Sequence, residues 1–270
     1  MTDRPDFYVH GYSDHELKRL RDQSQTLGDL LHHDTRYPPG RLVLEAGCGI
    51  GAQTALLLKY SPDIQLISLD LSMKSLKRAQ TETGGLNSTA SFLQANLFEL
   101  PFADETFEDI FVCFVLEHLP NPQDALQRLK AVLKPGGTLT VIEGDHGSCF
   151  FTPNHEGARH VWNCLIEAQA RLGGDSLIGR RLYPLLHEAN FKKINVSPRF
   201  VYADSSRPAW VDGFTLKTIC AMVEGVRERA LEMGLTDEHR WEKGMEELRR
   251  TSESPHGVFC YTFFKGTAVK

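Results

Sequence analysis

The stretch Glu45-Ala46-Gly47-Cys48-Gly49-Ile50-Gly51-Ala52 puts three glycines at alternate positions behind an acidic residue. Glycines let a backbone turn tightly and let a ligand come close to it. Where a helix starts at such a turn, its first amides carry partial positive charge. Residues 47–52 satisfy G-x-G-x-x-A, the loose form of the dinucleotide-binding fingerprint. Asp70 follows about 20 residues on, the spacing at which a carboxylate accepts both ribose hydroxyls of an adenosine. The pair points to a nucleoside-containing cofactor. The alternative is a tight turn and a helix cap that hold no ligand.

Charge separates the cofactors such a loop could hold. NAD presents a pyrophosphate, beside which a carboxylate is unfavourable. S-adenosylmethionine has no phosphate and carries an ammonium and a sulfonium. Glu45, at the end of the first apolar run, therefore suits a cationic ligand. The competing reading has Glu45 capping the amides of its own glycine loop. An NAD-dependent oxidoreductase would also want a hydride-transfer acid such as a Tyr-x-x-x-Lys pair, and no such pair is expected here.

Other residues of reactive type stand further along. Glu117-His118 follows the fourth apolar run and reads as the opening of the next helix more than as a catalytic pair. Glu143, Asp145 and His146 lie just past the fifth run, at the edge where open α/β sheets bind ligands. His146 is the general-base candidate, because an imidazole titrates near neutrality. Solvated loop residues are the alternative for all three. The six cysteines, Cys48, Cys113, Cys149, Cys164, Cys220 and Cys260, include no C-x-x-C pair and read as small buried hydrophobes, with no metal site.

These residues need elements to place them. Leucines near helical spacing predict a helix over 13–33, where Ser13 and Glu16 resemble a capping box. From residue 41, short apolar runs alternate with helical stretches. Strands are expected at 42–46, 64–70, 90–95, 109–114 and 138–143. Helices are expected at 51–60, 72–83 and 122–133, the last ended by Lys134-Pro135-Gly136-Gly137. Continuous apolar strands between helices imply a parallel sheet covered on both faces. Beyond it, helices are predicted over 155–172, 177–190 (with Pro184 inside) and 207–252, and strands over 191–201 and 258–264.

With 270 residues, 41% of them hydrophobic, the chain can bury a large core without disulfides. A net charge of −5 argues against nucleic acid as a partner, since phosphates want a basic surface. The N-terminal MTDRPDFYVHGYS lacks an apolar signal core, and no apolar run is long enough to span a bilayer. The cytoplasm is the expected location; the oligomeric state is not legible.

The segment VLEAGCGIGAQT resembles motif I of the class I S-adenosylmethionine-dependent methyltransferases. LISLDLSMKSLKRAQ resembles their second strand with its ribose-binding acid. FLQANLFELPFADETFEDIFVCFVLEHLPNP resembles the third and fourth strands, and LKPGGTLTVIE the turn and fifth strand. The likeness is dense over about residues 40–145 and is nearest to the small-molecule branch that includes the ubiquinone/menaquinone-biosynthesis C-methyltransferases. It implies a doubly wound α/β fold, a seven-stranded, mostly parallel Rossmann-like sheet. It also implies S-adenosyl-L-methionine as cofactor and methyl transfer to a small molecule. Glu45, Gly47, Gly49 and Gly51 would surround the methionine part, and Asp70 would hold the ribose. Leu71 and Met73 would pack on the adenine. Asn96, where the family often has Asp, would accept from the adenine amino group, and Leu97 would offer its amide. The carbonyl of Phe114 would meet the methionine ammonium. Tyr12 and Gln23 would close over the cofactor.

The expected organisation is an N-terminal helical segment (1–38), a cofactor-binding core (39–204), a helical lid inserted at 205–255, and a last strand (256–270). The lid would carry acceptor selectivity. Methyl transfer needs placement more than acid–base chemistry, which fits the lack of an evident triad. The alternatives are an NAD-dependent oxidoreductase and a catalytically silent nucleoside-binding protein of the same fold.

Overall fold

In the computed structural model the chain is described over residues 14–84 and 90–270. Four short strands, Leu42–Ala46 (β1), Gln65–Asp70 (β2), Ala90–Gln94 (β3) and Phe107–Cys113 (β4), pair in parallel with one another. β1 and β4 are apolar runs buried almost throughout, as strands covered on both faces must be. Leu133–Thr152 (β5) pairs in parallel with β4. With Lys192–Asp204 (β6) and Val258–Val269 (β7) the described residues form one seven-stranded sheet, ordered β3-β2-β1-β4-β5-β7-β6. Lys270 donates to the Gly137 carbonyl, and the Thr262 amide donates to Ser148 Oγ, so β7 runs antiparallel to β5.

The helices of this alternation are Asp14–His32 (α1), Ala52–Tyr60 (α2), Met73–Thr83 (α3) and Pro122–Val132 (α4). Ser72 caps α3 by accepting from the Ser75 amide, and Asn121 caps α4, which opens on Pro122 at its first turn. The expected capping box of α1 cannot be followed, because Ser13 lies outside the described residues. Glu16 instead grips Arg19 with both oxygens, at 2.6 and 2.7 Å.

The chain divides into two compact units. One comprises residues 28–144, 178–199 and 263–270, with β1 to β4 and a core built from Leu44, Ile110, Phe107, Leu129 and Leu139. A 3-10 turn, Ile178–Arg181, leads into Leu182–Glu188 (α6), with Pro184 in its first turn, where a missing N–H costs nothing.

The other unit comprises the described residues up to Leu27, then 145–177 and 200–262. It holds Glu156–Arg171 (α5), Pro208–Trp210 (α7), a π-helix over Val211–Cys220, Ala221–Glu224 (α8), Arg227–Glu232 (α9) and Glu238–Glu253 (α10). Thus 207–252 is not one helix: Gly225 and Gly234 end segments within it. α5 and α10 cross so closely that a Cβ at Gly244 would lie 2.5 Å from the Gly157 carbonyl oxygen and from Val161. Of the large apolar side chains in 207–222, Phe214, Ile219 and Met222 are buried, whereas Trp210 is partly exposed.

Two strands outrun their sequence signal. β5 continues nine residues past Glu143, so Asp145 and His146 are strand residues and not loop residues. Its polar tail Gly144-Asp145-His146-Gly147-Ser148 hides the strand from a hydrophobicity pattern. β7 likewise continues to Val269. All six cysteines are free, and five are buried.

Candidate functional site

Parallel register levels the strand ends. Ala46 pairs with Leu69 on one side and Val112 on the other, so the residues that follow β1, β2 and β4 emerge at one edge. There the chain leaves β1 in a loop pinned by two bonds: the Gly47 and Cys48 amides both donate to the Leu69 carbonyl, at 2.8 and 2.9 Å. Gly47, Gly49 and Gly51 all have positive φ, at 78°, 52° and 81°. Two of them are glycine because the protein itself is in the way. A Cβ at Gly47 would lie 2.5 Å from Val115 Cγ2, and one at Gly51 would lie 2.9 Å from Ala79 Cβ. Gly49 differs: a Cβ there would meet nothing within 4 Å. Its bare backbone is the face of the loop that a ligand can approach.

Glu45 is only 2% exposed. Its Oε2 accepts from Thr54 Oγ1 (2.6 Å, from α2) and Ser68 Oγ (2.7 Å, from β2), and its Oε1 has no partner. It therefore does not cap the glycine loop, whose amides are served by Leu69 and Asp70. Burial pushes its carboxyl up to about 7, against the pull of the two hydroxyls and with some help from the Asp70 charge. Asp70 accepts from the Gly49 amide at Oδ2 and from the Ser72 amide at Oδ1, both at 2.8 Å. Burial raises its pKa too, while those amides oppose the rise. The Leu71 amide hydrogen-bonds to the same carboxyl, so about three of its four acceptor sites are engaged. Among the described residues no Lys or Arg pairs with either carboxylate.

Beside Asp70 two large apolar side chains face outward, Leu71 at 56% and Met73 at 44% exposure. Across β3, Asn96 Oδ1 accepts from the Phe98 amide at 3.0 Å, so one of its lone pairs is already engaged. Leu97 is buried. Phe114, directly after β4, has φ 57°, a conformation that a bulky residue seldom adopts and that marks functional turns. Its amide donates to the Ile142 carbonyl, and its ring lies 5.5 Å from that of Phe263.

The remaining candidates do not gather here in the same way. Glu143 is buried within β5, and its Oε1 accepts from the Val115 and Leu116 amides. Glu117 and His118 stand 3.6 Å apart in the 3-10 turn Leu116–His118. His146 belongs to the other unit and is 5% exposed. Its Nδ1 shares a hydrogen bond with Tyr261 OH (2.8 Å), its carbonyl accepts from Trp162 Nε1, and its amide donates to Ser176. Its ring packs 5.3 Å from Trp162. Gln23 is buried and accepts from Arg19. Tyr12 lies outside the described residues.

The sequence does contain one Tyr-x-x-x-Lys spacing, Tyr261 to Lys265. On a strand that spacing separates the pair by about 13 Å. Tyr261 bonds His146, whereas Lys265 is buried on Asp34 and Thr35 at 2.6 Å. It is no hydride-transfer pair. Sequence reading missed Thr54 and Ser68, the two hydroxyls that hold Glu45. Ser68 had a signal, a hydroxyl inside an apolar run, and it proves to be the register partner of Glu45.

Fold and strand edge together define a Rossmann-like α/β protein with a glycine loop open beside two uncompensated carboxylates. A family profile described as a methyltransferase domain matches residues 44–141. An uncharacterized methyltransferase of Schizosaccharomyces pombe is 27% identical over 234 residues, 82% of this chain and 81% of the relative. The ubiquinone/menaquinone biosynthesis C-methyltransferase of Shewanella frigidimarina is 34% identical over 128 residues, 46% of this chain and 49% of that one. This chain therefore matches about half the length of that relative. A solved structure of phosphoethanolamine N-methyltransferase 2 from Haemonchus contortus shares the fold. Its TM-score is 0.55 at 16% identity, over 91% of this chain and 52% of that one. Over residues 44–141 the chain matches a methyltransferase domain, and with these relatives it resembles the class I S-adenosylmethionine-dependent methyltransferases. S-adenosylmethionine is the cofactor of that class and methyl transfer its reaction; neither alternative function is favoured.

Proposed function

We propose that this chain transfers the methyl group of S-adenosylmethionine to a small-molecule acceptor. The observation that carries the reading is Glu45: a buried carboxyl with an unpartnered oxygen and no cation, two residues before the glycine loop whose Gly49 faces open space. A ligand that brings positive charge to that edge supplies what the protein leaves out. The rest of the edge fits the same ligand. The Asp70 carboxylate, at the end of β2, suits the ribose. Leu71 and Met73 offer an apolar face to adenine, with Asn96 and Leu97 at its edge. The left-handed turn at Phe114 presents a carbonyl for the ammonium. Gly47 and Gly51 serve by packing the loop, and Tyr12 by covering the cofactor.

When bound, the cofactor supplies an activated methyl group on a good leaving group. The chain's own residues bind and orient, and the reacting centres gain from proximity. A base is needed only if the acceptor must lose a proton; His146, held by Tyr261, is the candidate we retain for that case. A small-molecule acceptor is supported by the acidic net charge and by relatives such as the 27-O-demethylrifamycin SV methyltransferase of Amycolatopsis mediterranei. We assign acceptor choice to helices 205–255, the part least like the family motifs.

Calorimetry with S-adenosylmethionine, S-adenosylhomocysteine and NAD tests the cofactor: the first two are expected to bind and NAD is not. Replacing 205–255 by a short linker to Gly257 tests the helices. Homocysteine-analogue affinity should survive, reporting an intact core, while transfer to the acceptor is lost. Full activity of that variant would end the assignment.

A further inference from the structure

Glu143 has no task in the cofactor site as described so far, yet it is fully buried. Its Oε1 accepts from the Val115 amide at 3.0 Å and the Leu116 amide at 2.8 Å, and the Glu117 amide also hydrogen-bonds to its carboxyl. These are the first amides of the 3-10 turn Leu116–His118, which have no partner within the turn. The residue just before them is Phe114, with its left-handed φ of 57°. Phe114 donates its own amide to Ile142, the neighbour of Glu143. Consecutive positions of β5 thus hold consecutive residues of the turn, 142 with 114 and 143 with 115 and 116. Val115, pinned this way, is the side chain that would meet a Cβ at Gly47. Turn and glycine loop are therefore interlocked.

We propose that Glu143 is a positioning residue for the cofactor: its carboxyl clamps the 114–116 turn so that the Phe114 carbonyl and the Gly47 loop hold their binding geometry. The inference rests on the cofactor reading above and assigns to it a residue that touches only backbone. For the fold alone, a Leu would fill this space without burying an acid. Such a Leu would leave the amides bare and the left-handed turn free to relax. Burial and the nearby Glu117 carboxylate push the Glu143 carboxyl well above its usual range. A clamp of this kind needs an acceptor oxygen of the right length and not a charge. That separates it from an electrostatic role, in which the negative charge itself would attract the cation.

The test compares three variants by S-adenosylhomocysteine calorimetry and by KM and kcat for S-adenosylmethionine. Glu143→Gln keeps the oxygen and the length, and is expected to bind within about threefold of the parent. Glu143→Asp keeps the charge but is one methylene short, and Glu143→Leu loses both. Each is expected to weaken binding about tenfold or more, the scale of a lost buried hydrogen bond, with KM rising more than kcat falls. If Glu143→Leu fails to fold, the Gln–Asp pair carries the comparison. Asp or Leu variants that bind as tightly as the parent overturn the clamp. A Gln variant weaker than Asp overturns it in favour of charge. A parent protein that binds neither cofactor form overturns the cofactor reading and the clamp with it, whereas tight parent binding with indifferent variants removes the clamp alone.

Discussion

Glu45 and His146 are both buried, both titratable and both on strands, yet their surroundings are opposite. Glu45 keeps an oxygen without a partner, beside a glycine whose missing side chain faces open space. Nδ1, the amide and the carbonyl of His146 are each engaged, and the rings packed on it, Trp162 and Tyr261, are buried. The first environment lacks something that a ligand could bring; the second is organised as a core. A reactive residue type is therefore a poor guide to a site unless the geometry leaves either a lone pair or a space unused.

Substitutions can break this contrast. Trp162→Ala should be the most damaging, at about 3–5 kcal/mol of stability for a large buried aromatic. Thermal or urea unfolding would register it, while the cofactor affinity of the folded fraction stays put. Gly49→Val should do the reverse: it fills the open face of the loop and should weaken S-adenosylhomocysteine binding about 100-fold or more, a loss of about 2.7 kcal/mol. Tight binding by that variant would remove the loop from the site. Asp70→Ala forfeits charge-assisted bonds of about 1.5–3 kcal/mol, or roughly 10–100-fold in affinity by calorimetry; an unchanged constant would exclude the ribose role.

The gentlest test uses pH. The Glu45 carboxyl, raised to about 7 by burial, is largely protonated below neutrality in the free protein. A cationic ligand favours the carboxylate, so affinity should rise with pH up to about 7, by at most about tenfold per unit for one proton. Binding at neutral pH should release a proton, visible as a calorimetric enthalpy that depends on the buffer. Glu45→Gln should flatten the profile. The same shift has a stability sign: with its folded pKa above the unfolded one, Glu45 favours folding at low pH, and this contribution is lost as pH rises through about 7.

The glycine loop and the strands β1, β2 and β4 were legible because they are local: apolar runs broken by a turn that only certain residues can make. The helices expected at 51–60, 72–83 and 122–133 are found within a residue of those bounds for the same reason. What escaped depends on partners distant in sequence. That Ser68 stands opposite Glu45 follows from strand register. The tail of β5 is polar and is a strand because β7 lies beside it. His146 looked like a loop residue, since nothing in its neighbours announces the aromatic side chains that arrive from 162 and 261.

The sheet order carries a further consequence for biosynthesis. β7 stands between β5 and β6, so β6 joins the sheet only through a strand synthesised after it. While the ribosome is still making residues 205–257, β5 and β6 have both emerged and neither has its shared neighbour. For that interval the edges of β5 and β6 that β7 will join both stand unpaired, the kind of surface most prone to pair with the wrong partner. Addition of Val258–Val269 closes both at once. The final assembly of the sheet is thus a late event set by translation, and chaperones that shield β edges would be needed most just before it.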